Sequence, residues 1–395
     1  MSKLAIVGGK SVRTKPFFPW PVYGKEEEAQ LKEVLKKSTA LIGKRAGKIT
    51  EFEEKFAFFH NTKHAVACTN CSHALEIMLK VSGITVGDEV IVPSYTFIAT
   101  AAAVMRCGAK PVFIDIDSKD YLLDITLMEK LITPRTKAII PVYFGGNIPD
   151  MEKLNTIAKR HNLLVIEDAA QAHGAKWGGT FVGNFGKAAG FSFQYSKNMT
   201  ANEGGVILSN DADFIEKCWQ YIWHGRKKGG LWYEHFLITS NFRITEFQAA
   251  VLIAQLGRLK GQNERRHKNG LYLDKKLSSL PGISTLSFHP KLEIHPRHLY
   301  ILKFDSSFFK GAKKHQIIKA LNAEGIPALG GYGFPLYKNP AFGKSDVINP
   351  VAEQACREHI WLLHNNLLGK KTDMDDIVRA FEKIVENREA LAEVP

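Results

Sequence analysis

Leu163-Leu-Val-Ile-Glu-Asp-Ala-Ala-Gln171 runs four apolar residues into two acids, two alanines and an amide. An apolar run this short, with the β-branched pair Val165 and Ile166 inside it, predicts a strand buried on both faces, as found where helices cover a parallel sheet. Working outward, runs of the same kind stand at 65–68, 89–92, 111–114 and 138–142 before it, and at 190–193 and 206–208 after it. Amphipathic segments near 73–81, 97–107, 125–131, 150–160 and 211–222 separate them. The alternation predicts an α/β domain on a large, mostly parallel, seven-stranded sheet.

After Glu246 the pattern changes. A helical stretch over about 247–280 directs Ala249, Ala250, Leu252, Ile253, Leu256 and Leu259 toward one face and reads as a connector. A strand-like run at 298–304, a helix at about 311–323, a Gly/Pro-rich stretch at 325–345 and two C-terminal helices follow. The expected division is an N-terminal arm with the large domain over 1–255, and the connecting helix with a smaller C-terminal α/β domain over 256–395. No internal repeat interrupts this plan.

The chain has 395 residues, 45% hydrophobic and 24% charged, the mixture of a globular protein with a sizeable core. Apolar stretches such as 97–105 are half the roughly 18–20 residues a membrane span needs, so no membrane is expected as a partner. The first ten residues lack the apolar core of a secretory signal, and five cysteines are an odd number, so a cytoplasmic, reduced chain is expected. A formal charge of +13 gathers in residues 1–50 and 256–320. Such a field concentrates small anions; taken alone it also motivates a regulatory or nucleic-acid-binding reading, although nucleic acid is not the expected partner.

Nucleotide loops fail on spacing. Gly186-Lys187 lacks a glycine five residues earlier and a following Ser or Thr, and Gly8-Gly9-Lys10-Ser11 has Leu4 where the first glycine belongs. Gly331-Tyr-Gly333 meets Leu336 where a dinucleotide fingerprint needs a third glycine. The 14 histidines fit no zinc spacing, and no metal is expected. Two features at the carboxyl ends of strands survive, where open parallel sheets bind ligands. Asp168 ends a buried strand, a costly place for a carboxylate without a cation or hydrogen bonds; it reads otherwise as a helix N-cap. Lys197 closes Phe191-Ser-Phe-Gln-Tyr-Ser-Lys197 ahead of Glu203-Gly-Gly205, where desolvation would lower its pKa and make it a candidate Schiff-base amine.

Asp168-Ala-Ala-Gln171, Ser192-Phe-Gln with Lys197, and Glu203-Gly-Gly205 together resemble the DegT/DnrJ/StrS family of sugar aminotransferases. The likeness extends to Thr69-Asn-Cys-Ser-His-Ala-Leu75, Pro93-Ser-Tyr-Thr-Phe-Ile-Ala-Thr100, Asn241-Phe-Arg-Ile-Thr-Glu-Phe-Gln248 and Trp361-Leu-Leu-His364, and so covers nearly the whole chain. Trp20-Pro-Val-Tyr23 and the flanks of the lysine resemble in particular the branch of cyclitol (scyllo-inosose) aminotransferases and 3-amino-5-hydroxybenzoate synthases.

The resemblance implies the type I fold of pyridoxal-phosphate (PLP) transferases, with Lys197 as the Schiff-base lysine and a pyridoxamine phosphate intermediate. Asp168 would pair with the pyridine nitrogen, Gln171 would lie near the phenolic oxygen, and Phe97 would stack on the ring, unless it packs in the core as Tyr95 also could. Cys71, Ser72 and the helix they open, with Ser192, would hold the phosphate. Asn241 would reach in from a neighbouring subunit, making the enzyme a homodimer with a shared site. His298, Tyr332 and His364 are candidate substrate contacts. The implied reaction moves an amino group from L-glutamate or L-glutamine to a keto-sugar, nucleotide-linked or phosphorylated or neither, or to a keto-cyclitol. Relatives with histidine in place of the lysine are dehydratases, so Lys197 favours transamination; an aromatising dehydratase of the aminohydroxybenzoate type is the alternative that shares the lysine.

Ser72 stands where threonine is usual, and three further positions depart from the family pattern. Cys71 stands where glycine is usual, which predicts a negative φ there. Asn202 stands for glycine, the swap a left-handed backbone tolerates best. Thr239 also stands for glycine and is the hardest of the three to accommodate. Cys68 and Cys71 form a C-x-x-C at a strand-to-helix junction, but their surroundings fit a thioredoxin-like site poorly, so no redox chemistry is expected.

Overall fold

The seven apolar runs before the connector all enter one sheet. The computed structural model describes residues 3–36, 47–231 and 233–394. The strands are β1 (His64–Cys68), β2 (Glu89–Pro93), β3 (Lys110–Ile114), β4 (Thr136–Ile139) and β5 (Leu164–Asp168). A small hairpin of β6 (Lys176–Trp177) and β7 (Thr180–Phe181) precedes β8 (Ala188–Ser192) and β9 (Gly205–Ser209). The order is β1-β9-β8-β5-β4-β2-β3, with β9 alone antiparallel to its neighbours. Ala65, Ala67, Val165 and Leu208 join one core, while Val66, Cys68, Ile166 and Ile207 join the other, so each run buries both of its faces.

Asparagine and aspartate start the crossover helices. The side chains of Asn70, Asp150 and Asp211 accept backbone N–H groups in the first turns of Cys71–Val81, Met151–Arg160 and Ala212–Ile222. β4 stops at Ile139, short of the expected 142. Pro141 has no N–H for the ladder, and beyond it the pairing with β5 continues only as the single bridge Val142–Asp168, in which the Pro141 carbonyl accepts the Asp168 N–H at 3.0 Å.

The connector is a single helix, Glu246–Leu277, opened by a capping box between Thr245 and Gln248. Ala249, Leu252 and Leu259 pack beneath the large sheet, and Leu273 and Leu277 pack in the C-terminal core. That second core covers a four-stranded antiparallel sheet of β10 (Ile283–Thr285), β12 (Leu299–Phe304), β14 (His359–Leu363) and β13 (Ala328–Leu329), in the order β10-β12-β14-β13; β11 (Leu292–Ile294) pairs with the hairpin strand β6. The N-terminal arm belongs to this core: Leu4 is buried in it, Glu324 accepts the Ala5 N–H at 2.8 Å, and Arg13 is paired with Asp373 and Asp376 at 2.7 Å. The arm then runs back toward the large sheet, which brings Trp20 and Tyr23 to the carboxyl ends of its strands.

Among the described residues no helix is long and apolar enough to cross a membrane.

Candidate active site

The carboxyl ends of β1, β2, β5 and β8 surround a cavity of about 710 Å3, closed on the other side by β14 and by Trp20 of the arm. Asp168 and Lys197 both line it, together with Cys71, Ser72, Phe97, Gln171, Ser192, His298, Tyr332 and His364. Asn241 does not. It is exposed, bridges to Trp223, and accepts the Arg243 N–H at 3.2 Å.

Asp168 and its neighbour Glu167 separate by the two-residue period of a strand. Glu167 turns away from the cavity and accepts four hydrogen bonds, from Gly183, Phe185 and Gly186 N–H and from the Tyr143 hydroxyl, at 2.7–2.9 Å. Asp168 turns into the cavity with two, from the Thr100 hydroxyl at 2.8 Å and the Ala170 N–H at 3.2 Å. Burial raises its pKa, and the two hydrogen bonds and the nearby Lys197 ammonium only partly oppose the shift. The carboxylate therefore retains acceptor capacity for a cationic N–H. Burial likewise lowers the Lys197 pKa, against the pull of Cys71 and Asp168, as a nucleophilic amine requires.

Cys71 is the first residue of its helix, with negative φ as expected. Asn70 takes the His73 N–H, so the Cys71 and Ser72 amides at the helix N-terminus keep no acceptor within the helix. Ser192 brings a hydroxyl from the end of β8. These donors suit a phosphate dianion. Gly205 lets the loop approach so closely: a Cβ there would stand 2.4 Å from the Asn70 carbonyl carbon. Asn202 is left-handed at φ 67°, as expected, and accepts the Tyr23 hydroxyl at 3.3 Å. Thr239 is not among the residues with positive φ, so its side chain meets no backbone penalty, although its buried hydroxyl has no partner.

Of the two aromatic residues after β2, Tyr95 goes to the core and Phe97 to the cavity, where it is 57% exposed. Gln171 accepts the Gly145 N–H on Oε1 at 2.7 Å, which turns its Nε2 toward the Tyr332 hydroxyl. His298 and His364 stack at 5.8 Å, both kept neutral by burial and by the Lys197 and Arg266 charges. The donor set thus fits pyridoxal phosphate: amides and hydroxyls for the phosphate, an under-bonded carboxylate for the ring nitrogen, an exposed aromatic face, and a desolvated amine.

The two C-x-x-C thiols are buried; Cys68 is pushed up to about 12 and Cys71 well above the ordinary value. A thiolate is the nucleophile, and burial disfavours it at both positions. All five cysteines are unpaired and buried. Titration of the native protein with a disulfide reagent at pH 7 is expected to label none rapidly, and all five after denaturation.

The DegT/DnrJ/EryC1/StrS aminotransferase family matches residues 21–382. The chain belongs to this family. It is 33% identical to L-glutamine:2-deoxy-scyllo-inosose aminotransferase of Micromonospora echinospora over 99% of this chain and 100% of that one. It is 38% identical to the pleiotropic regulatory protein of Geobacillus stearothermophilus over 84% and 87%. Among solved structures, 3-amino-5-hydroxybenzoic acid synthase superposes with a TM-score of 0.88 at 31% identity, over 94% of this chain and all of that one. As an aminotransferase of this family the chain is an enzyme, and the expected fold and family stand.

Sequence reasoning gave no site role to Thr100 or Trp20. Thr100 lay inside a quoted motif, and only the fold brings it to an aspartate 68 positions away.

Proposed function

We propose that this aminotransferase moves an amino group from L-glutamine or L-glutamate to the ketone of a keto-cyclitol or keto-sugar. The convergence of Lys197 and Asp168 on one cavity carries the reading, and the full-length similarity to a glutamine-dependent cyclitol aminotransferase supports it. Pyridoxal phosphate supplies the aldehyde that takes and returns the amino group and a ring that spreads the electrons released.

This chain's residues do the rest. Lys197 Nζ holds the cofactor and, once displaced, carries a proton between the donor's α-carbon and the cofactor, as base and then as acid. Asp168 holds a proton on the ring nitrogen. Phe97 covers one ring face, and Gln171 donates from Nε2 at the phenolic oxygen. The amides of Cys71 and Ser72 and the Ser192 hydroxyl bind the phosphate, with Asn241 completing this corner in the partner subunit of a homodimer. The five unpaired cysteines suit a cytoplasmic enzyme.

Protein loaded with pyridoxal phosphate is expected to lose its visible band with L-glutamine or L-glutamate alone. The band then returns with 2-deoxy-scyllo-inosose, a nucleotide-linked 4-keto-sugar, or both. No bleaching by either donor would sink the reading. An aromatised product from an aminodehydroquinate-like compound would favour the dehydratase, and a protein that takes up no cofactor would favour a regulatory role.

A further inference from the structure

Lys197 is carried by a turn that distant parts of the chain hold in place. β8 ends at Ser192, and the residues after it fold on themselves: the Lys197 N–H donates to the Gln194 carbonyl at 2.9 Å, and the Ser196 hydroxyl donates to Gln194 Oε1 at 2.7 Å. The neighbours of the lysine bond elsewhere. The Tyr195 carbonyl accepts the Trp20 Nε1–H of the arm at 3.0 Å, and the Ser196 carbonyl accepts from His364 Nε2 at 3.0 Å. Asn198 uses both ends of its amide. Its Nδ2 donates to the Pro296 carbonyl at 2.7 Å, so its Oδ1 accepts from His298 Nδ1, 3.0 Å away.

The partners of Ser196 and Asn198 belong to one frame. Leu299 of β12 pairs with Leu363 of β14, so His298 and His364 stand on the adjoining rung, where their rings stack. Arg297, between Pro296 and His298, has a left-handed backbone at φ 48°, uncommon for so long a side chain, and is held by its ion pair with Asp274 of the connector helix. Burial keeps both imidazoles neutral, so each has one N–H, and both point it at the turn. Asn198, His298 and His364 are buried, and each of these bonds lies within one chain.

We propose that Asn198 is a positioning residue for Lys197: by tying the turn to the C-terminal sheet through Pro296 and His298, it makes that sheet, rather than β8, set where Nζ stands in the cavity. The proposal rests on the amino-transfer reading only for the proton that Nζ carries. His298, a candidate substrate contact by its sequence, then acts through the lysine.

Two measurements test it. Visible circular dichroism of protein loaded with pyridoxal phosphate reports how the bound ring is turned, and it needs no turnover. Asn198→Ala is expected to lose most of this signal per bound cofactor. In stopped-flow experiments, with whichever of L-glutamine and L-glutamate bleaches the wild type, its limiting bleaching rate is expected to fall about 10^2-fold, with the half-saturating donor concentration little changed. His298→Asn places an amide N–H where Nδ1 stands and should keep the dichroism, whereas His298→Ala should lose it. The double variant Asn198→Ala/His298→Ala should be no worse than either single one, because all three break the same clamp. Wild-type dichroism in Asn198→Ala, or equal loss in His298→Asn and His298→Ala, would overturn the proposal. So would an unchanged limiting rate with a raised half-saturating concentration, the mark of a binding contact. Should Asn198→Ala not fold, the two His298 variants decide. If neither donor bleaches the wild type, the amino-transfer reading fails and the dichroism still judges the clamp.

Discussion

Lys197→Ala is expected to lower turnover by about 10^4-fold or more, the upper end of what a positioned acid–base group contributes, because one nitrogen both holds the cofactor and moves the proton. The visible band of the loaded protein should vanish with it. A second readout separates loss of chemistry from loss of fold. Burial holds the Lys197 pKa below its ordinary value, so the folded state binds this proton less tightly than the unfolded chain does. A lysine with a lowered folded pKa costs stability below that pKa, where it is charged, and the cost disappears as pH rises through the unfolded value. At neutral pH the cofactor-free alanine variant is therefore expected to melt no lower than wild type, while activity is gone. A variant that retained a hundredth of wild-type turnover would remove Lys197 from its role, whatever its melting temperature.

The same two groups explain how far the sequence could be read. Strands buried on both faces announce themselves as unbroken apolar runs, so the seven strands of the large sheet were legible, and the residues at their carboxyl ends came with them. Pro141 clipped β4 because a ladder needs an N–H, a detail the apolar run concealed. β14 escaped notice, since Ile360-Trp-Leu-Leu363 between two helices is too short for its period to declare a strand, and only pairing with β12 and β13 does so. The fates of Tyr95 and Phe97 were open for the same reason: both ends of a strand-and-turn pattern are apolar, and the fold sends one inward and the other into the cavity. Contacts between distant segments were hidden altogether. Thr100 on Asp168 and Trp20 beside His364 depend on strand order and on the path of the N-terminal arm, which no local pattern encodes.

Asp168→Asn should cost about 10^2- to 10^3-fold in turnover, the consequence of removing one partner from a buried, hydrogen-bonded ion pair worth roughly 3–5 kcal/mol to break. Asparagine keeps the shape and can still accept from Thr100, but it cannot hold a proton on the ring nitrogen. The thermal signature runs opposite to the catalytic one. The folded Asp168 pKa lies above the unfolded value, so between these two values the folded state binds more protons and stability falls as pH rises. The cost of the buried ionised carboxylate to the cofactor-free protein grows as pH rises above the unfolded value, and a cationic N–H relieves it on binding. The cofactor-free Asp168→Asn protein is thus expected to match or exceed wild type in melting temperature near pH 7, and this advantage should fade on acidification as wild-type Asp168 protonates. Pyridoxal phosphate should then raise the melting temperature of the variant less than that of wild type. Equal stabilisation of both proteins by the cofactor would mean that Asp168 does not face the ring nitrogen, and would leave the carboxylate only its hydrogen bonds to Thr100 and Ala170.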